Sequence, residues 1–520
     1  MDSFRDNVLR LALPWEGSCS LEELIEHITQ TLRISTGISR DLLRSGVRTI
    51  LQTRYHTDTS LALESPGVGG VTETELRALC DWPGYHPPAQ CTSAADLISH
   101  EHDTDDITGD LKRRYRNIQR IDSIPQHAQK SIEWINQRKG CLTATAVAIA
   151  LDEDKYKHPI ELFWDKCGRG PPFLDNANVH HGRKFEEVGV LLYQHRMNVK
   201  VGEYGLIQND KTPFIGASPD GICQVDTPDY SGYSKLGGRL LEIKFPRLRK
   251  IRDRGELNGD ICPHYYYRQV ETQLYALGFQ ECDFLQCEVE EYASYEQWMD
   301  DAHPTIPGLS ASTMMERGAI IQLLPQKLTP ERKRELAALA ASEKRAWEDI
   351  VWETEEQRIW KSEYLYPPRL HMSPVELDSW IGKTLREFPQ TRLADTHRYD
   401  RVIYWRLVKV SCHTITLKDD WEEENMDTLR QYWNYIRWAR GDEEKEAGMD
   451  EDSAAQIAEA RLDKIQEKLD GMEPSQTKEI FQIIHRLWLK DHPDSDLEPL
   501  YQTTNKWRTK INRMLAYYRR

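Results

Sequence analysis

Two short motifs, Asp220-Gly221 and Glu242-Ile243-Lys244, place two carboxylates and an ammonium on either side of a long loop. A strand points alternate side chains to opposite faces, so Glu242 and Lys244 share one face and Leu241, Ile243 and Phe245 the other. Asp220 follows an extended run, Pro213 to Ser218. If that run pairs with the second strand as a hairpin, Asp220 and Glu242 converge. Two carboxylates hold a hard divalent cation through oxygen, and a lysine beside them can hold and help deprotonate a water. That is the chemistry of cutting a phosphodiester. Asp-Gly in a turn and Glu-Ile-Lys in a strand are each ordinary alone; their order, with further pieces around them, gives them weight.

One such piece lies upstream, in Gly182-Arg183-Lys184-Phe185-Glu186-Glu187-Val188. Phe185, Val188 and Leu192 form an apolar helical stripe. Glu186, at its edge and preferred over Glu187, offers a third carboxylate to a metal site of Glu186, Asp220 and Glu242. Downstream, Tyr265, Gln269 and Gln273 recur four apart beside the apolar face of Tyr266, Val270, Leu274 and Leu277. Such a polar stripe can hydrogen-bond a phosphate, a base edge or an attacking water. Further upstream, Arg138 can fork onto a phosphate, and the helix start at Thr143-Ala144-Thr145 offers backbone amides to an anion. A solvated arginine with an ordinary cap reads equally well from these residues alone.

The elements that must position these groups sit in a chain of 520 residues, room for two to four domains. A net charge of -16 argues against a wholly electrostatic nucleic-acid coat, though not against a local basic site. Mean hydropathy is -0.68 and no run of eighteen apolar residues occurs, so no membrane span is expected. Charged residues in the first turns argue against a signal peptide. Ten cysteines without a C-x-x-C pair suggest reduced thiols in an intracellular compartment and no zinc site.

The pattern divides the chain into a helical accessory region, 1–125, a nuclease-type domain, 126–440, and an acidic linker with a helical tail, 441–520. The N-terminal region carries a capping box at Ser20 and Glu23 and a short helix over Thr72–Leu79. Within 126–440 the core spans 126–292, with helices, two strands, a helix and a strand. About 300–395 is helix-rich, with helix starts at Thr329-Pro330 and Ser373-Pro374, the first running toward Tyr366. An extended run, Arg401–Leu417, and a tryptophan-rich helix, Trp421–Arg440, follow over 396–440. The tail ends on Lys506, Arg508, Lys510, Arg513, Arg519 and Arg520.

The ordered set Arg138…Thr143-Ala-Thr145, Gly182-x-x-x-Glu186, Ser218-Pro-Asp220-Gly, Leu241-Glu242-Ile-Lys244 and Gln269-x-x-x-Gln273-Leu-Tyr275 resembles the YqaJ-type viral recombinases. These are phage-lambda-exonuclease-like members of the PD-(D/E)XK nuclease superfamily. The resemblance covers about residues 126 to 292, and Tyr404 through Trp433 looks like the closing strand and helix of large-DNA-virus members, which implies that about 300–395 is a helical insertion in the domain. Gly189, where alanine is usual, the long loop Gln224–Gly238 and the terminal extensions depart from the pattern.

The resemblance implies an α/β (α+β) restriction-endonuclease-like core, a mixed sheet flanked by helices. It implies a Mg²⁺-dependent nuclease, with Mn²⁺ as a substitute, acting 5′ to 3′ on double-stranded DNA ends. Asp220, Glu242, the Ile243 carbonyl and Glu186 would bind metal, Lys244 would activate water, and Gln273 and Gln269 would position the nucleophile or strand. Arg138, Thr143, Thr145, Ser218 and Tyr265 would face substrate. A single-strand annealing protein and a homo-oligomer are the partners such relatives suggest, in a host nucleus or cytoplasm for a viral protein. A structure-specific or RNA-directed endonuclease and a non-catalytic nucleic-acid-binding scaffold stay open at this point.

Overall fold

The computed structural model describes residues 106–502, apart from 130, 172–175, 227–233, 305, 307, 327–328 and 345–361. The expected helices before residue 106, the Ser20–Glu23 capping box and the basic tail from Lys506 lie outside the described residues. The first elements are α1 (Asp106–Asp122), α2 (Ile132–Lys139), β1 (Leu142–Thr143), α3 (Ala144–Ala150), α4 (Pro159–Lys166) and α5 (Ala177–Met197). Then come β2 (Val201–Gly202), β3 (Ile207–Gln208), β4 (Ile215–Ala217), β5 (Gly221–Cys223), β6 (Leu240–Lys244), α6 (His264–Leu277) and β7 (Glu281–Glu291). They are followed by α7 (Tyr295–Asp300), β8 (Arg317–Pro325), α8 (Pro330–Glu343), β9 (Glu363–Leu365), α9 (Pro374–Glu387) and β10 (His397–Thr416). The C-terminal helices are α10 (Trp421–Ala439), α11 (Asp442–Glu446), α12 (Glu451–Leu469) and α13 (Thr477–Trp488).

A seven-stranded sheet runs β2-β5-β6-β7-β10-β8-β9, beside a small sheet β1-β4-β3. The β6–β7 pair is parallel, and α6 lies in the crossover between its strands, as parallel pairing requires. The other pairs of the large sheet are antiparallel. The result is the mixed sheet flanked by helices expected of a PD-(D/E)XK core, with helices preceding and following it.

Each face of β6 is covered by a different helix. Leu241, Ile243 and Phe245 pack with Phe185, Val188 and Leu192 of α5. Leu240 packs with Val270, Leu274 and Leu277 of α6. α5 comes so close at Gly189 that a Cβ there would sit 2.6 Å from Ile243 Cγ2 and 2.9 Å from Phe245 Cε2. The glycine is a condition of that approach. On the N-terminal side, α1 buries Leu111, Ile118 and Ile121 in the same cluster as α6, and Asn117 Nδ2 donates to the Leu277 carbonyl (2.9 Å) at its C-terminus.

Four details differ from the sequence expectation. The hairpin partner of β6 is β5, not the run ending at Ser218; β4, within that run, belongs to the small sheet. Pro219 cannot donate to a ladder, so the chain breaks there and turns from one sheet into the other at Asp220. The segment read as a helical insertion contains β8, a nine-residue strand buried along its whole length, and β9. Both faces of β8 are covered, so its mostly apolar sequence, with Arg317 and Gln322 buried among the apolar residues, shows no inside–outside alternation. α8 ends at Glu343, with Lys344 left-handed at φ 52°, and does not continue to Tyr366, since β9 follows. The acidic linker near Gly441 holds the short helix α11, entered through left-handed Gly441 at φ 69°. The Ser373–Glu376 capping box forms as read. No helix among the described residues is long and apolar enough to cross a membrane.

Candidate active site

Antiparallel pairing of Gly221 with Leu241 sets Asp220 opposite Glu242. Asp220 Oδ2 accepts the Ile243 amide at 2.7 Å, which ties the turn to the strand it faces. Glu242 is fully buried at the middle of an inner strand, yet both of its oxygens are engaged. Gln269 Nε2 donates to Oε1 and Gln273 Nε2 to Oε2, each at 2.7 Å. Lys244 Nζ, two residues along the same face, also donates to Oε1. The four-residue spacing of the glutamines along α6 therefore spans the two oxygens of one carboxylate.

Burial and the nearby Glu242 charge push the Asp220 carboxyl well above the usual range, with Lys244 and the Ile243 amide pulling the other way. The charge of Glu186 is felt at Asp220 as well. Glu187 is raised by burial and by Glu203 and Glu186. Glu186 approaches from the α5 side of β6, opposite the face where Glu242 meets α6. Consistent with that geometry, no three acidic, histidine or cysteine side chains among the described residues close into one metal-binding group. Asp220 and Glu242 are brought together, and the Glu186 charge reaches Asp220.

Lys244 departs from expectation. Burial lowers an ammonium's pKa, but here the charges of Glu242 and Asp220 outweigh it and the net shift is upward. With the carboxylates facing it directly, the lysine acts as their counter-ion and keeps its proton.

The substrate-facing candidates sort into two groups. Arg138 stacks over the Trp134 ring (4.5 Å to its centre), and Trp134 Nε1 donates to Ser218 Oγ at 3.2 Å, two residues before Asp220. This links Arg138 and Ser218 to the turn. Burial lowers the Arg138 pKa. Thr143 is a buried N-cap residue whose side chain makes no capping bond, and Thr145 is exposed one residue into α3. Tyr265 shares the helix face of Gln269 but packs on Tyr156 and Tyr266 and does not bond Glu242.

Sequence reasoning missed three contributors. Tyr266, assigned to the buried face, lies under Lys244 Nζ, 4.8 Å from its ring centre. Trp134 bridges Arg138 to Ser218; its place one helical turn before Arg138 was the available signal. Lys166 donates to the carbonyls of Arg138 and Cys141 and so ties down the end of α2. Burial pulls its pKa down to about 8. Nothing in the local sequence around Lys166 announces that contact.

Two opposed carboxylates, a lysine on the same face and two glutamines holding one carboxylate make up the candidate site. The YqaJ-like viral recombinase domain family matches residues 133–280, which enclose α2 through α6. An uncharacterized protein, R354, of Acanthamoeba polyphaga mimivirus is 42% identical over 424 residues, 81% of this chain and 70% of that protein. The crystal structure of an alkaline exonuclease from Laribacter hongkongensis matches at 24% identity and a TM-score of 0.23, covering 30% of this chain and 74% of that one. The same enzyme in complex with dAMP gives the same figures. On the domain match and the mimivirus relative, the chain belongs to the YqaJ-like viral recombinase family.

Proposed function

We propose that the protein is a Mg²⁺-dependent exonuclease that degrades double-stranded DNA 5′ to 3′ from an end during viral recombination or the processing of replication intermediates. The observation that carries this reading is the pairing of Asp220 with Glu242 across β5–β6, with Lys244 and two glutamines fixed on Glu242. The donor set suits a hard divalent cation: two facing carboxylates, one of them raised by burial and by its neighbour, have more negative charge than one lysine balances. Asp220, Glu242 and the Ile243 carbonyl would hold Mg²⁺ or Mn²⁺, with Glu186 directly or through water. Such an ion polarises the scissile phosphoryl group and makes water more acidic.

The chain's own residues then divide the work. A cation on the carboxylates would relieve their pull on Lys244, leaving burial to lower its pKa, so that Nζ would take a proton from the attacking water. Gln273 and Gln269 keep the Glu242 carboxylate in one orientation. Arg138, held by Trp134 near Ser218, would grip a phosphate, with Thr143 and Thr145 beside it. Residues 126–440 would form the nuclease domain, with 1–125 as an accessory region and 441–520 as a tail that contacts DNA or a partner. The partner would be a single-strand annealing protein or a second copy of the chain, in the nucleus or cytoplasm of an infected cell.

Digestion of end-labelled duplexes, with and without a 5′ phosphate, tests the proposal against closed circular DNA and RNA as controls. Mononucleotides released from the 5′ strand of linear duplex only, in Mg²⁺ and not in chelator, are the expected result. Cleavage of closed circles would shift the reading to an endonuclease. Undiminished activity in Asp220→Ala and Lys244→Ala would overturn the site.

A further inference from the structure

Tyr156 lies in the loop between α3 and α4, outside every motif considered so far. Its ring is 70% exposed. Its backbone is nonetheless pinned, because Asp154 Oδ1 accepts the amides of Tyr156 (2.6 Å) and Lys157 (2.8 Å).

The ring is the outer end of a continuous path to the candidate active site. Tyr156 meets Tyr265 edge-on, with centroids 5.7 Å apart and planes at 75°. Tyr265 lies 4.2 Å from Tyr266, whose ring sits beneath Lys244 Nζ. The three rings therefore form a contiguous path from Tyr156 to Lys244. Lys155 Nζ stands 4.6 Å from the centre of the Tyr156 ring and 5.3 Å from that of Tyr265. A cation beside an exposed aromatic, in a chain whose net charge is -16, is complementary to a phosphate followed by a base.

We propose that Tyr156 is a stacking platform for an unpaired nucleobase of the DNA strand whose scissile phosphate lies at Lys244, with Lys155 contacting the adjacent phosphate. A paired base inside a duplex offers no free face, so the occupant is a single-stranded segment of the substrate. This rests on the nuclease reading for the direction of the strand, but the platform can be tested without cleavage.

Binding is measured with full-length protein silenced by Asp220→Asn, in Ca²⁺, to a single-stranded oligonucleotide carrying 2-aminopurine at successive positions. Stacking on Tyr156 quenches the probe in one register. Tyr156→Ala is expected to remove that quench and weaken binding about tenfold, the loss of one base stack, while Tyr156→Phe and Tyr156→Trp keep both. Lys155→Ala is expected to lower the slope of log affinity against log salt by about 0.7. Binding and quenching indifferent to Tyr156→Ala would overturn the platform. Cleavage by the unsilenced protein is scored separately: active enzyme without a Tyr156 effect sinks only the platform, and a Tyr156 effect without cleavage sinks only the nuclease reading.

Discussion

α5 carries an acidic residue toward one buried ionic cluster and a basic residue toward another, and the two clusters are built oppositely. At Arg196, Nε and Nη2 reach Glu316 Oε1 and Oε2 at 2.8 and 2.6 Å, a two-pronged pair out of water. Burial would raise Glu316, but Arg196 overrides it and holds the carboxyl down at about 2. At Glu186 the cluster it faces has two buried carboxylates sharing one ammonium, and Asp220 is driven upward. One-to-one charge in a closed fork is a structural joint between α5 and the start of β8. Surplus negative charge in an equally buried place is a demand for a cation the chain does not supply, the condition under which shifted groups mark function.

The sharpest way to break that contrast is one neutralising substitution in each cluster. Asp220→Asn is expected to cut cleavage of linear duplex roughly 10⁴-fold, about 5 kcal/mol of barrier, measured at saturating Mg²⁺. The same variant should melt no lower than the parent, because a destabilising like charge has gone. Glu316→Gln should do the reverse on stability, losing about 3–5 kcal/mol in denaturant unfolding by stranding the Arg196 charge. If Asp220→Asn melts well below the parent, the distinction between joint and site collapses.

Acid sharpens the same contrast. Glu316 is depressed on folding from 4.5 to about 2, so its contribution is complete above about 4.5 and fades as pH falls toward 2. Burial first, and then the neighbouring His195, lower His371 from 6.5 to about 4, and burial with Lys184 lowers His180 to about 3. The unfolded chain takes up those protons from 6.5 downward while the folded chain refuses them, so stability starts to fall below about pH 6.5. Thermal melts across pH should show an early histidine phase and a later Glu316 phase, and Glu316→Gln should lack only the later one.

A smaller effect is expected from the glutamines. Gln273→Ala removes a buried donor to a charged oxygen, an interaction of about 1.5–3 kcal/mol, and should slow turnover roughly 10- to 100-fold. Gln269→Ala, at the oxygen already shared with Lys244, should cost less. Equal loss at both positions would mean that they act on substrate and not through Glu242.

The polar half of this site was legible because its signal is local. The alternation in Leu240–Lys244 fixes which residues share a face, and the spacing of Gln269 and Gln273 fixes which glutamines line up. The hairpin partner of β6 was misread because Pro219 and Gly221 left a strand only three residues long, too short to show a period. β8 was missed for the opposite reason: buried on both faces, it has no alternation to distinguish it from helical surroundings. Tyr266 and Lys166 were out of reach because their roles depend on neighbours distant in the chain.

Gly189 bears on the same comparison at its lowest cost. It sits between Glu186 and Arg196 on α5, at the point where the helix touches Ile243 and Phe245. An alanine methyl at 2.6 Å from a branched side chain in a packed core cannot be absorbed by one rotamer change, so the helix or β6 must give. The expected loss is toward the low end of about 1–3 kcal/mol, read by denaturant unfolding. The more telling measurement is where the displacement goes. The Arg196 fork pins the far end of α5, so the helix should pivot about it and move Glu186 relative to Asp220. Gly189→Ala should therefore raise the Mg²⁺ concentration needed for half-maximal cleavage more than it lowers the melting temperature would suggest. A stability loss with unchanged metal dependence would show that Glu186 contributes nothing at the metal.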